Sequence, residues 1–218
     1  MTLKCARCGL VNFAGDQACR RCGASLLPGD LLVPVEAEKE RGFGRRLLWV
    51  VGMTLTLLFV YFMSLLVTSE GLDIDERRAV ADAIAVLKKA GFSKETFVLG
   101  SLVRYRSTDN WWNAYMGHQD AYAATNFPFE VVTLYPGFFM SAVDDTERAA
   151  ILLHESYHLF GAGEEAALQG VWLEKQRLGW TADRYSQTKV WKNTKEWTTG
   201  SLPGLFRCGT DGHSDCVQ

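Results

Sequence analysis

The sequence predicts an α+β fold, in which a small sheet packs against one helix. A single membrane-spanning helix and a small cysteine-rich unit precede that domain. Three observations carry the prediction. Two Cys-x-x-Cys pairs lie within the first 22 residues, an uncharged apolar run covers Leu47–Val67, and a mixture of helical and strand-like patterns follows Asp73. At 218 residues the chain has room for one moderate domain plus attachments. A formal net charge of -2 offers no strongly basic surface, so nucleic acid is not an expected partner.

Residues 1–25 form the first element. In "CARCGLVNFAGDQACRRCG", Cys5 and Cys8 make one pair and Cys19 and Cys22 the other, each followed directly by a glycine. Each pair can close a tight turn that aims two thiolates at one point, and two such turns present the four sulfurs of a tetrahedral structural zinc site. Gly9 and Gly23 suit these turns, because a residue free to take positive φ lets backbone N–H groups reach the sulfurs. Two disulfides or free thiols are the alternatives. The stretch resembles the short zinc ribbons at the N-termini of many bacterial and archaeal membrane proteins. That resemblance implies one structural zinc ion and a cytoplasmic protein partner. So small a unit has almost no apolar core, so metal binding has to supply its folding energy.

Residues 26–46 carry prolines, glycines and the charge-rich run "EAEKERGFGRR", without sustained periodicity, and read as a linker. Leu47–Val67 follows as 21 uncharged residues, of which only Thr54, Thr56 and Ser64 are mildly polar. At about 1.5 Å per residue this matches the roughly 30 Å hydrocarbon core of a bilayer. The run is too long, and starts too far along the chain, for a cleaved signal peptide. Lys39, Arg41, Arg45 and Arg46 precede it, whereas Glu70, Asp73, Asp75 and Glu76 come next. The positive-inside rule then keeps the cysteine-rich unit in the cytoplasm and exports the domain of residues 70–218. Cysteine usage agrees with this, since zinc-holding thiolates belong in a reducing compartment and an exported tail can keep a disulfide.

Within residues 70–218, Ile74, Val80, Ile84 and Leu87 fall at helical spacing, with Gly91 as the stop. "TFVLGSLVRYR" reads as a strand, an aromatic stretch with Trp111, Trp112 and Tyr115 follows, and "FEVVTLYPG" reads as a second strand ended by Pro136-Gly137. Asp144 or Asp145 can cap a helix over "TERAAILLHESYHLFG", and another helix is expected from about Glu164 to Leu178. In the tail, Cys208 and Cys216 bracket "GTDGHSD" and can close as a disulfide outside the cell, with free thiols or a metal site including His213 as alternatives. Trp172, Trp180, Trp191 and Trp197 suit core packing or an aromatic-lined cleft.

The chemistry concentrates in "HESYHLFGAGEEAALQG". His154 and His158 lie one helical turn apart on one face, so both rings can reach one metal at about 2.0 to 2.1 Å. Glu155 follows the first histidine, where its carboxylate can act as general base on water held at the metal's open position. This His-Glu-x-x-His pattern resembles that of the zincin metallopeptidases. The resemblance covers about residues 130–180 and implies a zincin-like fold, a catalytic zinc ion and hydrolysis of a peptide or protein substrate. A third ligand is then expected from "GAGEE", either Glu164 or Glu165. Metzincin-like spacing places Gly161 and Glu164 on the last two key positions, although no methionine follows Met140 to make a Met-turn. Gluzincin-like spacing favours a glutamate from the next helix. Gly161 and Gly163 would let the chain reverse between the helices.

An oxyanion needs its own donor, and Tyr157, Tyr185, Tyr122, His118 and His213 are the candidates. The expected function is a membrane-anchored zinc-dependent metallopeptidase. The alternative is a membrane-tethered adaptor or sensor whose zincin-like domain binds metal or a partner without cutting.

Overall fold

The computed structural model describes residues 2–26, 42–117, 121–126 and 128–206. Most of the expected linker, His118, His213 and the Cys208/Cys216 pair therefore lie outside the described residues. Contacts divide the chain into two units, Met1–Leu58 and Phe59–Gln218.

The first unit opens with strands β1 (Thr2–Lys4) and β2 (Val11–Phe13), paired antiparallel with Thr2 opposite Phe13. Its two cysteine turns share one hydrogen-bond pattern. Cys5 N donates to Leu10 O at 2.9 Å and Gly9 N to Cys5 O at 2.8 Å; Cys19 N donates to Ala24 O at 2.8 Å and Gly23 N to Cys19 O at 2.9 Å. Gly9 at φ +73° and Gly23 at φ +70° close these turns in the left-handed region, as expected from their places after the second cysteines. Among the described residues of the unit, Cys5, Cys19 and Leu26 make up its buried apolar centre. Helix α1 (Gly42–Val67) contains a 25-residue stretch, Phe43–Val67, long and apolar enough to cross a membrane.

The second unit is α+β. Its sheet has the order β3 (Arg104–Arg106), β5 (Val131–Leu134), β4 (Ala123–Asn126), with β3 parallel and β4 antiparallel to the central β5. All four residues of β5 are buried, so the strand does not alternate, and its one polar residue, Thr133, accepts from Asn113 Nδ2 at 3.1 Å. Around the sheet lie α2 (Ile74–Lys89), α3 (Ser93–Ser101), α4 (Trp111–Met116), α5 (Pro136–Met140), α6 (Asp145–Leu159), α7 (Glu164–Leu178), α8 (Ala182–Tyr185) and α9 (Lys189–Ser201). The centre of this arrangement is α6, which packs on α2, α3, α5, α7 and the edge strand β4.

Two expectations change. "TFVLGSLVRYR" is mostly helix: α3 runs to Ser101, with Phe92 and Leu99 facing the core, and only Arg104–Arg106 is strand. The β-branched and aromatic letters suggested a strand, but Phe92, Thr96 and Leu99 repeat at helical spacing, and Thr96 Oγ1 bonds back to Phe92 O at 2.7 Å. Strand β5 ends before Pro136, as expected, and Pro136 also starts α5, because proline at the first helical position loses no intrahelical bond. In α2, Ile74 is exposed, and Ala83 joins Val80 and Leu87 as the buried stripe.

A tryptophan cluster fills the core between α7 and α9. Trp172, Trp180 and Trp191 are almost fully buried, with ring centroids 4.7 to 5.4 Å apart. Their role is packing, with Trp180 also reaching the cavity wall described below.

Candidate metal centre

Helix α6 is held at its start before it delivers any chemistry. Asp144 caps it, accepting from Thr146 N at 2.9 Å and Glu147 N at 3.1 Å. Glu147 is fully buried; it accepts from Val143 N at 3.0 Å and from Thr188 Oγ1, the hydroxyl that caps α9. One carboxylate thus ties the starts of α6 and α9 together.

Two turns further on, His154 and His158 stack one turn apart with ring centroids 4.7 Å apart and Nε2 atoms 3.0 Å apart. The helix ends at Phe160, and Gly161 takes φ +84° while Ala162 N reaches back to Tyr157 O at 2.9 Å. That turn needs glycine at 161. Gly163 is different: its φ of -75° is open to any residue, so its glycine is not required for the reversal. The chain then enters α7 with Glu164 as its first residue, and the Glu164 carboxylate lies 3.4 Å from His154 Nε2 and 3.1 Å from His158 Nε2. Glu165, one residue on, stands outside this group beside Gln169 and Leu202.

The donor set fits a metal. Ligands about 2.0 to 2.1 Å from a tetrahedral centre sit about 3.3 Å from one another. The separations of 3.0, 3.1 and 3.4 Å among the two imidazoles and the carboxylate bracket that value. His158 Nδ1 lies 2.9 Å from Ala162 O, and a carbonyl can only accept, so Nδ1 carries the hydrogen and the Nε2 lone pair faces the site. In the bare cluster the hydrogen bond that His158 donates to Glu164 raises His158 to about 9, with burial opposing and the Ala162 carbonyl and Glu155 adding. Glu164 is held well below the usual carboxylate range by its hydrogen bonds to His154 and His158. A cation would take the place of the shared positive charge.

Glu155 is buried beside this group, and its Oε2 accepts from Thr125 Oγ1 of β4 at 2.6 Å. All four acidic and imidazole side chains, His154, Glu155, His158 and Glu164, line one cavity of about 880 Å³. One wall is apolar, built by Ile151, Leu168, Val171, Trp180 and Trp197, and the facing wall is β4, the end strand of the sheet.

The expected oxyanion donors separate. Tyr122 lines the cavity, its hydroxyl accepting from Asn193 Nδ2 at 2.9 Å. Tyr157 points away and packs against Gly170 of α7 so closely that a Cβ there would come within 2.6 Å of its ring. Tyr185 donates to Asp144 Oδ2 at 2.8 Å, at the opposite end of α6. Thr125 was not among the residues expected at the site, and nothing in "AATN" announces a contact with a glutamate thirty residues on.

The cysteine cluster has its own geometry. Cys5 and Cys22 Sγ lie 3.6 Å apart and Cys8 and Cys19 Sγ 3.5 Å apart, close to the roughly 3.8 Å between sulfurs around a tetrahedral zinc. Backbone N–H of Arg21, then of Cys22, lowers Cys19 to about 6. At Cys8 a backbone bond from Leu10 favours the thiolate but is outweighed by burial and by the sulfurs of Cys19, Cys22 and Cys5, which push it up to about 12. Four sulfurs this close cannot all be thiolates without a cation among them. Both clusters, Cys5/Cys8/Cys19/Cys22 and His154/His158/Glu164, have the donors to bind a metal ion.

Comparison with protein-family models, with characterised proteins and with solved structures found no match to this chain.

Proposed function

We propose that the chain is a membrane-anchored, zinc-dependent metallopeptidase. His154, His158 and Glu164 would hold the catalytic zinc, and a second, structural zinc would sit on Cys5, Cys8, Cys19 and Cys22. The observation that carries this reading is the convergence of two imidazole Nε2 atoms and one carboxylate in a cavity that also holds a buried, unligated glutamate. A site built only to bind metal has no use for Glu155. When bound, zinc supplies Lewis acidity and brings the pKa of water toward about 7.

This chain's own residues do the rest. Thr125 occupies Oε2 of Glu155, which leaves Oε1 to take a proton from the attacking water as its oxygen bonds to the scissile carbonyl carbon. Glu155 then passes that proton to the amine nitrogen as the C–N bond breaks, so the carboxylate is regenerated. The Ala162 carbonyl holds His158 in the ligating tautomer. Aliphatic and indole groups on one wall exclude water around a bound polypeptide.

The basic residues before the apolar run Leu47–Val67 and the acidic ones after it support a cytoplasmic cysteine ribbon and an exported catalytic domain. The test is reconstitution. Peptide cleavage should vanish on chelation and return with zinc, and the His154→Ala/His158→Ala variant should stay inactive with zinc restored. Cleavage that survives chelation would overturn the proposal.

A further inference from the structure

Helix α1 does not end in a free tether. Arg106 of β3 reaches back over its last turn: Nη2 donates to Leu66 O at 2.6 Å and to Ser69 O, and Nε donates to Ser69 Oγ at 2.8 Å. A guanidinium on the open carbonyls at a helix C-terminus satisfies them and complements their partial negative charge. Ser107 N donates to Glu70 O at 3.0 Å and Glu70 N to Thr108 Oγ1 at 2.7 Å, so the chain leaving α1 is zipped to the chain leaving β3. The last turns of α1, from Phe59 on, therefore belong to the same compact unit as the domain.

Against that same end lies α4. Trp111 Nε1 donates to Ser64 Oγ at 2.9 Å and Trp111 N to Thr68 Oγ1 at 3.3 Å. Tyr61 meets the rings of Trp111 and Trp112 edge-on at 6.3 and 6.1 Å, and Phe129 at 5.7 Å. The depth of this contact follows from helix arithmetic. Arg46 marks the inner boundary, and twenty residues from Leu47 at about 1.5 Å each reach the outer hydrocarbon boundary near Val67. Tyr61 and Ser64 then lie roughly 9 and 4 Å inside that boundary. A helix fastened there sits at the boundary between headgroups and acyl chains, where an interfacial helix buries its apolar face about 5 to 10 Å deep. Its outward side chains suit that layer: Trp111 is 45% exposed, Tyr115 79% and Met116 52%. Tryptophan and tyrosine are the residues that prefer the membrane interface.

The same short helix reaches the site. Trp112, Asn113 and Gly117 line the cavity that holds His154 and Glu155. Asn110 and Asn113 are buried and pinned to the sheet, Asn110 Nδ2 donating to Asn126 Oδ1 at 2.9 Å and Asn126 Nδ2 to Asn113 Oδ1 at 2.7 Å. Asn126 is the strand neighbour of Thr125, which holds Glu155.

From this placement we infer that α4 is an interfacial helix seated at the headgroup–acyl boundary of the bilayer that α1 crosses, and that it opens the cavity at the membrane surface to the membrane-adjacent segment of a bilayer-bound polypeptide. The inference names the substrate class for the peptidase proposed above and rests on that reading and on α1 spanning the membrane. No soluble partner is needed to cover the aromatic face, because the lipid that surrounds α1 is continuous with it.

The test uses the full chain in phosphatidylcholine nanodiscs, with and without bromine on the upper part of the acyl chains. A Trp49→Phe background removes the tryptophan inside α1, and Trp111 and Trp112 are two of the six that remain, so emission should fall by up to about a third in brominated discs. Adding W111F/W112F should abolish that loss. Equal emission in both discs, or quenching that persists without these two residues, overturns the seat of α4. A second arm compares cleavage of one peptide, free in solution or carried on a lipid anchor. Tyr115→Glu/Met116→Glu alters exposed residues outside the cavity lining, and it should slow cleavage of the anchored peptide about tenfold while leaving the free one within twofold. Equal effects on both would overturn the substrate class. If the parent cleaves neither peptide, the peptidase reading fails, while the quenching arm still decides where α4 sits.

Discussion

The two candidate metal clusters differ in what surrounds them. Four sulfurs enclose the first completely, and Cys5 and Cys19 are 2% and 3% exposed and form most of their unit's apolar centre. Three donors make the second, which faces a cavity of about 880 Å³ and stands on a helix whose other sides are packed against a large aliphatic and aromatic core. A closed four-ligand shell contributes folding energy, whereas a three-ligand shell with an open side leaves room for a reacting molecule. The difference teaches that ligand count and core size have to be read together. On the proposed reading, the cysteine unit would need a metal to fold and the helical unit would need one only to act.

Breaking each cluster in turn should expose that asymmetry. Cys5→Ser/Cys19→Ser should unfold residues 2–26 outright, because structural zinc supplies on the order of 10 kcal/mol or more to so small a fold. Amide dispersion in NMR spectra would collapse for those residues alone. His154→Ala/His158→Ala should leave the helical unit folded by circular dichroism; a collapse there would erase the comparison. The next effect sharpens the identity of the third ligand. Glu164→Ala should weaken metal binding by about a hundredfold or more, since even outer-shell partners are worth ten to a hundredfold, and Glu165→Ala should leave it unchanged. Competition with a chromogenic chelator reads both.

Smaller still is the effect of support. Gly170→Ala drives a Cβ to 2.6 Å from the Tyr157 ring, so α7 must move off α6. The cost should be about 1 to 3 kcal/mol in thermal unfolding, with a weaker metal site because Glu164 starts the displaced helix. Unchanged stability would mean the two helices are not held by this contact.

Much of the helical frame was legible in the letters. An aspartate cap at 144 or 145, of which the structure uses Asp144, glycines at 91 and 161 in the left-handed region, and the bounds of α7 all follow from local chemistry. Glu164 could not be told from Glu165, because successive helix residues point about 100° apart and the choice depends on the residue at which α7 begins. Strand β4 and its Thr125 were invisible. "AATN" has no alternation of its own and becomes a strand only by pairing with β5. The aromatic stretch around Trp111 showed composition without placement, since its partners Tyr61 and Ser64 are some fifty residues earlier in the chain.

The central claim is that Glu155 acts on a molecule at the metal without holding the metal. Metal content and peptide turnover measured on the same preparations of the parent chain and Glu155→Gln test it most directly. The account predicts two metal ions per chain in both proteins and a kcat lower by about 10² to 10⁴ in the variant. Turnover that survives the substitution, or a variant that has lost its second metal ion, would contradict it.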